Sequence, residues 1–538
     1  MSAIIPFLKN KVVFITGATG FLGKGVVEKL MRHVPEIGRI YLLIRPQHRE
    51  SGKKISADDR LVSKIWMSDA FARLREQLGD RFEGVMREKL VAVAGDLTQE
   101  RLGIDAELYD RLTREVDIII NSAATVVFDE PIDLALEQNT LGPQRVMAFA
   151  RACRNAIFVH VSTAYVNGRQ KGKIYEFPPI PGQTVAQLID GDKALSFDLE
   201  GEIAAIQAFA RDIEMASHAP DLMADFHKLL NRQDRGKRIT EHRRTHQVEA
   251  LRQRWKRDRM VKQGMQRGRE LGWHDSYTLT KAMGEQLIVK NRGNLPTVIV
   301  RPSIIESSLS DPEPGWLDGL KVADPLIAHY GKGRLPDFPA RPDVVLDVIP
   351  VDIIVSAIVG LLPTIAQEPN VKIYHVATGS ENPMRVGDMV RLVYEYFLKN
   401  PMRDRHGNPI VVKPWKFPSL AQFQRHLKYR YQLPLKSLIW MVDHVPFGDF
   451  SKQKRRLSLI DATLENAMSL SDIYTSYVQL DCEFQIDHMQ QLHQAMNEED
   501  RKIFNCDVSR INWPEYIQHI HIPGLKRHVL KAGDELGK

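Results

Sequence analysis

The chain has 538 residues, 43% of them hydrophobic and 26% charged, a composition typical of globular proteins that excludes a disordered or fibrous chain. Its net charge of +7 is concentrated between Arg232 and Glu270, where 14 basic residues accompany five acidic ones. Three scattered cysteines, Cys153, Cys482 and Cys506, exclude a disulfide framework and a zinc ribbon and indicate a reducing compartment.

Neither the N-terminus nor the longest apolar stretch predicts a targeting or membrane segment. The first apolar run, "VVFIT", is too short for a signal peptide and leads directly into glycines. The longest uncharged apolar stretch, residues 353–367, has 15 residues and predicts a buried helix, because a membrane span needs about 20. We therefore expect a cytoplasmic protein, with peripheral contact with a membrane as a further expectation.

Apolar segments rich in β-branched residues alternate with segments of helical periodicity. The predicted strands are residues 11–16, 39–45, 89–97, 116–124, 156–165 and 296–305. This alternation predicts an α/β fold with a Rossmann-type, doubly wound parallel sheet. We expect the sheet domain to span residues 1–385, with a large helical insertion at about 169–272, and residues 386–538 to form a mainly helical C-terminal domain.

The stretch "TGATGFLG", residues 16–23, follows the first strand and opens a helix. Its three glycines permit a tight turn and bring the helix N-terminus close to a pyrophosphate. A plain tight turn is the alternative. The predicted cofactor-binding residues here are Thr16, Gly17, Thr19, Gly20, Phe21, Leu22 and Gly23.

The second strand ends in Arg45, where a site that prefers NAD usually has an acid for the ribose hydroxyl. A guanidinium group matches a phosphate, so NADPH is the predicted cofactor, although Arg45 could also be a solvated strand end. Further predicted contacts follow the third and fourth strands, at Asp96 and Leu97 and at Asn121 and Ala123.

The candidate catalytic residues are Ser162 and Thr163, at the end of the fifth strand, together with Tyr277 and Lys281. The last two are four residues apart and share one face of a predicted helix. A carbonyl that receives hydride needs a proton donor, and a nearby lysine lowers the pKa of a tyrosine. The hydroxyl would hold the substrate oxygen in place.

With "TGATGFLG", "HVSTAYVNG", "YTLTK" and "RPSI", the chain resembles the extended short-chain dehydrogenase/reductases. Further stretches, among them "YLLIRP", "GWHDSYTLTKAMGEQL", "VRPSIIESSLSDPEPGWLDG" and "NEEDRKIFNCDVSRINWPEYI", are similar to the alcohol-forming fatty acyl-CoA reductases, bacterial members above all. The resemblance runs nearly from end to end.

The resemblance implies that acyl-CoA is reduced through an aldehyde to a fatty alcohol with two NADPH. It implies that Tyr277 and Lys281 form the catalytic dyad, and it favours Thr163 over Ser162 as the hydroxyl. Asn139 would support a proton relay. Lys281, Pro302 and Ser303 would contact the cofactor near its nicotinamide.

Thr163 and Tyr277 are 114 positions apart, and the stretch between them includes the basic segment. We expect this insertion to cover the site and contact the phosphates of CoA; an acidic acyl carrier protein would suit it equally, and a solvated helical face is the alternative. No motif predicts nucleic-acid binding. The pair His242 and His246 has no carboxylate or cysteine partner, so we predict no metal site.

Three alternative functions remain open at this point. The enzyme could release the aldehyde after one reduction, since the motifs do not distinguish one hydride from two. A sugar-nucleotide epimerase or dehydratase shares the glycine loop and the dyad. A non-catalytic NADP-sensing module is the third alternative. Thioester capture by cysteine is not expected, because no cysteine lies in a matching motif.

Overall fold

The computed structural model describes residues 3–530 except 49–53, 192–196, 234–239, 336, 367, 369, 405, 445–456, 458–460, 462–467, 469–470 and 472–473. Within this part of the chain the strands are β1 Val13–Thr16, β2 Ile40–Ile44, β3 Gln47–His48, β4 Lys54–Ile55, β5 Leu90–Ala94, β6 Ile118–Asn121, β7 Ile157–Val161, β8 Gly172–Ile174, β9 Thr297–Pro302, β10 Ile304–Glu306, β11 Val348–Pro350, β12 Lys372–Val376 and β13 Cys482–Phe484.

A seven-stranded parallel sheet forms the centre of the molecule, in the order β12-β9-β7-β6-β1-β2-β5. The chain runs from β1 outward through β2 to β5, then returns to the other side of β1 with β6. In doubly wound sheets, ligands bind beyond the carboxyl ends of the strands where the order reverses. That point lies between β1 and β6.

All six predicted strands are confirmed, each within the predicted range. The seventh strand of the sheet, β12, was not predicted. Its sequence "KIYHV" places Lys372 and His375 among apolar residues, which obscures the pattern of a buried strand. Its pairing with β9 is therefore a result of tertiary structure.

Helices cover both faces of the sheet and form most of the insertion and the C-terminal region. Among the described residues the α-helices include α1 Ile4–Leu8, α2 Phe21–His33, α3 Ala57–Leu61, α4 Ala72–Leu78, α5 Phe82–Lys89, α6 Ala106–Glu115, α7 Ile132–Leu136, α8 Gly142–Ala152, α9 Val185–Asp190, α10 Leu199–Ala216, α11 Pro220–Gln233, α12 Glu241–Glu270, α13 Ser276–Asn291, α14 Asp324–Gly331, α15 Val351–Ile365, α16 Val386–Lys399, α17 Leu420–Leu427, α18 Leu433–His444, α19 Asp487–Ala495, α20 Glu498–Ile503, α21 Trp513–Glu515 and α22 Ile522–His528.

The apolar stretch at 353–367 forms most of the buried helix α15, as predicted. None of the described helices combines the length and the hydrophobicity that crossing a bilayer requires.

The C-terminal region packs into the same core as the sheet. Met489 and Phe504 belong to one hydrophobic cluster with Ile4 and Ile354, and all four are buried. The short strand β13 also pairs in parallel with β8 of the insertion. The predicted boundary at 385 and 386 therefore stays a prediction, because the residues on its two sides share a core.

Candidate active site

The glycine loop lies against the backbone that follows β6. Gly17 has a φ of +74°, and a Cβ atom there would lie 2.7 Å from the amide nitrogen of Ala123. A Cβ atom on Gly23 would lie 2.3 Å from the carbonyl oxygen of Gly17. Glycine is required at both positions, so the loop can place the N-terminus of α2 at the sheet edge.

A cavity of about 260 Å³ opens on one side of this loop. Six predicted cofactor residues line it besides Gly17 and Gly20: Thr16, Thr19, Arg45, Asp96, Leu97 and Ala123. The cavity lies beyond the ends of β1, β2 and β5, where the adenosine half of a dinucleotide would bind.

Arg60 also lines this cavity and was not identified from the sequence. Its guanidinium group, on α3, donates a hydrogen bond to the carbonyl oxygen of Arg45. Burial and the nearby Arg45 charge lower the pKa of Arg60. The Arg45 guanidinium group lies 3.6 Å from the Asp96 carboxylate. Because Arg45 and Arg60 line the same cavity, their two positive charges suit an anion such as a phosphate. Arg60 is 15 residues beyond Arg45, and no sequence rule links the two positions.

A second cavity, of about 530 Å³, shares Gly17 and Gly20 with the first. It brings together all four candidate catalytic residues and the remaining cofactor candidates other than Asn121: Phe21, Leu22, Gly23, Ser162, Thr163, Tyr277, Lys281, Pro302 and Ser303. The two cavities adjoin at the glycine loop, along the carboxyl edge of the sheet, and the pair is called the cleft below.

Helix α13 places Tyr277 and Lys281 on the wall of the second cavity. The helix begins where the Asp275 carboxylate accepts a hydrogen bond from the amide of Thr278, at 2.8 Å. The Lys281 ammonium group donates a hydrogen bond to the carbonyl oxygen of Val161, at the end of β7, at 2.8 Å. Burial lowers the pKa of Lys281 to about 8.

The Tyr277 phenol is neutral at physiological pH. Burial raises its pKa, and the hydrogen bond with Thr163 offsets only part of that rise. In this structure the Lys281 ammonium group bonds the carbonyl oxygen of Val161, and the sequence-based expectation that its charge lowers the pKa of Tyr277 stays a prediction. A neutral phenol can donate its proton to a substrate oxygen.

The two candidate hydroxyl groups differ in their surroundings. The Thr163 oxygen accepts a hydrogen bond from the amide of Tyr165 at 3.3 Å and also bonds Tyr277. The Ser162 hydroxyl is buried and has no hydrogen-bond partner among the described residues. Thr163 is thus linked to the dyad residue, and Ser162 has an unused hydroxyl at the cavity wall.

Asn121 and Asn139, both predicted from the sequence, form hydrogen bonds that link neighbouring segments of the site. Asn121 lines neither cavity; its side chain accepts a hydrogen bond from Thr16 at 2.6 Å and contacts His160 at 3.0 Å. Asn139 accepts from the amide of Thr125 at 3.0 Å and donates to Thr280 at 3.3 Å. Asn139 therefore ties the loop after β6 to α13, and its relay role stays a prediction.

Helix α12 of the insertion packs against the start of α13. Among the described residues, none of the insertion lines either cavity, so the expectation that the insertion covers the site stays a prediction. A Cβ atom on Gly264 would lie 2.2 Å from the Ser276 hydroxyl oxygen, so the two helices are in close contact. Part of the positive charge of α12 is neutralised inside the insertion. Arg252, for example, is buried and paired with Glu214 at 2.9 Å. Arg257 approaches Glu130, in the loop that borders the cavity, to 3.7 Å. Positions 234–239 of the basic segment lie outside the described residues.

The three cysteines are free and lie outside the cleft. Burial raises the pKa of each thiol to about 12. A thiol with such a pKa is a poor nucleophile at neutral pH, which argues against thioester capture by cysteine.

Comparison with known proteins places the chain among characterised sequences. Two family models described as male sterility protein match residues 15–358 and 450–532. The chain is 37% identical to fatty acyl-CoA reductase 1 of Arabidopsis thaliana, over 98% of this chain and 99% of that protein. It is 32% identical to the alcohol-forming fatty acyl-CoA reductase of Simmondsia chinensis, with the same coverage.

Solved structures resemble the fold. The terminal reductase domain of the myxalamid pathway has a TM-score of 0.53 at 17% identity, covering 96% of this chain and 91% of that one. A reductase domain from Mycobacterium tuberculosis has a TM-score of 0.52 at 18% identity, covering 97% and 95%. The cleft, the nicotinamide-cofactor fold and the sequence matches over nearly the full length together show that the chain belongs to the fatty acyl-CoA reductase family.

Proposed function

We propose that this protein reduces long-chain fatty acyl-CoA to fatty alcohol, through an aldehyde, with two molecules of NADPH. The observation that carries the proposal is the pair of adjoining cavities, one lined by Arg45 and Arg60 and the other by Tyr277, Thr163 and Lys281. The glycine loop, which has no room for a side chain at Gly17 or Gly23, fits a pyrophosphate. Arg45 and Arg60 would hold the phosphate that distinguishes NADPH from NADH.

The bound nicotinamide supplies hydride to the carbonyl carbon of the substrate. As the thioester is reduced, its oxygen gains negative charge, which hydrogen bonds from Thr163 and Tyr277 stabilise. The tetrahedral species collapses, expels CoA as a thiolate that takes a proton from water, and leaves the aldehyde. In the second reduction Tyr277 transfers its proton to the alkoxide, and the positive charge of Lys281 favours that transfer.

Exposed arginines on α12 suit an anionic partner beside the cleft. Arg254 and Arg257 are exposed, and Arg257 lies near the loop that borders the cavity. We infer that this side receives the phosphates of CoA or the acidic surface of an acyl carrier protein. A cytoplasmic location and peripheral membrane contact also remain predictions.

The proposal is tested by oxidation of NADPH with a saturated long-chain acyl-CoA, counting NADPH consumed per CoA released and identifying the lipid. Two NADPH per CoA with alcohol formed is the expected result. One NADPH per CoA with free aldehyde would identify an enzyme that stops after the first reduction. The proposal would be refuted if NADPH were oxidised neither with long-chain acyl-CoA nor with a long-chain acyl group carried on acyl carrier protein.

Tyr277→Phe separates catalysis from cofactor binding. We expect turnover to fall by a factor of roughly 100 or more, because the general acid is lost. Affinity for NADPH, measured by fluorescence titration, should stay near that of the wild type, since the ring remains. Unchanged turnover would exclude Tyr277 as the proton donor.

A further inference from the structure

Three aromatic side chains form a wall next to Tyr277. Phe128 comes from the loop after β6, whereas Tyr474 and Tyr477 come from the C-terminal region. The ring of Phe128 lies 5.9 Å from that of Tyr277, 6.0 Å from Tyr474 and 4.9 Å from Tyr477, measured between ring centres. All four rings line the cavity of about 530 Å³. The C-terminal region thus completes the substrate side of the cleft.

Tyr477 fixes this wall to the catalytic helix. Its hydroxyl donates a hydrogen bond to the Asp275 carboxylate at 2.5 Å, and the same carboxylate caps the start of α13. Asp275 is only 1% exposed, so this bond is shielded from water. The Tyr477 ring also packs against Tyr165, with 5.0 Å between the ring centres. The wall therefore has a defined position relative to Tyr277.

Apolar residues continue from this wall to the surface. Val126, Val127 and Leu320 line the same cavity and are 68%, 43% and 46% exposed. An alkyl chain whose carbonyl oxygen bonds Tyr277 would have its first carbons beside Phe128 and the remainder along this apolar surface. Every methylene group buried on this surface would strengthen the binding of the chain.

The chemistry of the reaction makes this contact important after the first reduction. Loss of CoA removes every phosphate contact, so the aldehyde is held only by its alkyl chain and its carbonyl oxygen. Dissociation of the aldehyde then competes with exchange of the cofactor and the second reduction. Groups that contact the carbons next to the carbonyl are best placed to decide that competition.

We propose that Phe128, Tyr474 and Tyr477 retain the aldehyde between the two reductions and so determine the ratio of alcohol to aldehyde released. This inference rests on the proposed function. The residues that would retain the aldehyde come from two distant segments, the loop after β6 and the C-terminal region. Phe128 and Tyr474 contact the intermediate through their rings. Tyr477 has the additional role of holding the wall to Asp275.

The test uses the full-length protein with a saturated long-chain acyl-CoA, excess NADPH and a hydrazine that traps free aldehyde. We compare Phe128→Ala and Tyr474→Ala with the wild type, with the conservative variant Tyr474→Phe, and with Tyr429→Ala. Tyr429 is a 63% exposed aromatic residue outside the cleft, so its removal controls for loss of an aromatic ring. The readouts are NADPH consumed per CoA and the yield of trapped aldehyde.

The two alanine variants should shift from two NADPH per CoA toward one, with about ten times more trapped aldehyde, which corresponds to about 1.4 kcal/mol. Tyr474→Phe should restore the low aldehyde yield, because the ring is present again. An aldehyde yield in both alanine variants equal to that of the wild type and Tyr429→Ala would overturn the proposal.

Where an alanine variant no longer releases CoA, the Michaelis constant for a free long-chain aldehyde provides the second measurement. A raised constant with little change in kcat is expected, and an unchanged constant would refute the role of the wall. Failure of the proposed function is a separate result: the wild type itself would then not turn over acyl-CoA. A wild type that consumes one NADPH per CoA would overturn aldehyde retention as well.

Discussion

At the scale of single residues, Tyr277 and Lys281 share one face of α13 but have different partners. Tyr277 bonds the Thr163 hydroxyl, whereas Lys281 bonds the carbonyl oxygen of Val161. Burial acts on the two groups in opposite directions, because it disfavours the charged form of each: it raises the pKa of Tyr277 and lowers the pKa of Lys281. The tyrosine stays neutral, and the lysine titrates close to physiological pH.

The lowered pKa of Lys281 predicts the pH dependence of the reaction. An ordinary lysine keeps its charge to about pH 10, whereas Lys281 loses its proton as the pH rises through about 8. If its positive charge assists proton transfer, kcat should decline above pH 8. A profile of kcat between pH 6 and pH 10 measures this, and a flat profile through pH 9 would contradict the role of the charge.

Arg60 provides a test of cofactor preference. Arg60→Ala should raise the Michaelis constant for NADPH by roughly 10- to 100-fold. This change is expected for the loss of one charge-assisted hydrogen bond, which contributes about 1.5–3 kcal/mol to binding. The constant for NADH should change little, because NADH has no 2′-phosphate. Arg45→Ala is the matched variant. Equal effects on both cofactors would show that Arg60 only supports the fold.

At the scale of elements, the position of the catalytic helix depends on its neighbours. Asp275 caps the start of α13, Gly264 lets α12 approach that start closely, and the Arg301 side chain of β9 forms a buried ion pair with Glu285 at 2.6 Å. Each contact joins α13 to a different part of the fold. Tyr277, in the first turn of the helix, is placed by all of them together.

Gly264→Ala should disturb this packing, because the added methyl group would lie 2.2 Å from the Ser276 hydroxyl oxygen. We expect the free energy of unfolding to fall by about 1–3 kcal/mol. Gly84→Ala, in α5, is the control: its methyl group meets no atom within 4 Å, so stability should rise by about 0.4–1 kcal/mol. Thermal melting of both variants measures the difference, and equal melting temperatures would contradict the close contact.

At the scale of the whole molecule, the C-terminal region and the sheet depend on each other. Met489 and Phe504 lie in the same hydrophobic cluster as Ile354, and β13 pairs with β8. Tyr477 also reaches the buried carboxylate of Asp275. The C-terminal region therefore contributes side chains both to the cleft and to the hydrophobic core.

A chain that ends at residue 385 should not fold as an independent domain. It would expose the apolar surface that Met489, Phe504 and their neighbours cover. The free energy of unfolding would fall by about 1.5–3 kcal/mol for each large side chain that loses its partner. We expect no cooperative thermal transition in residues 1–385, measured by circular dichroism. A cooperative transition together with NADPH binding would confirm the sequence-predicted boundary as that of an autonomous domain.

The sequence by itself determined six of the seven strands of the sheet, the glycine loop and the positions of the dyad. These features depend on local patterns: apolar runs between turns, glycines three apart, and a tyrosine and a lysine one helical turn apart. Only the tertiary structure decided the rest. Arg60 meets Arg45, and Phe128 meets Tyr474 and Tyr477, because the fold brings distant segments together at the carboxyl edge of the sheet. The protonation of Tyr277 and Lys281 was decided in the same way, since burial depends on the surrounding chain and not on the spacing of two residues.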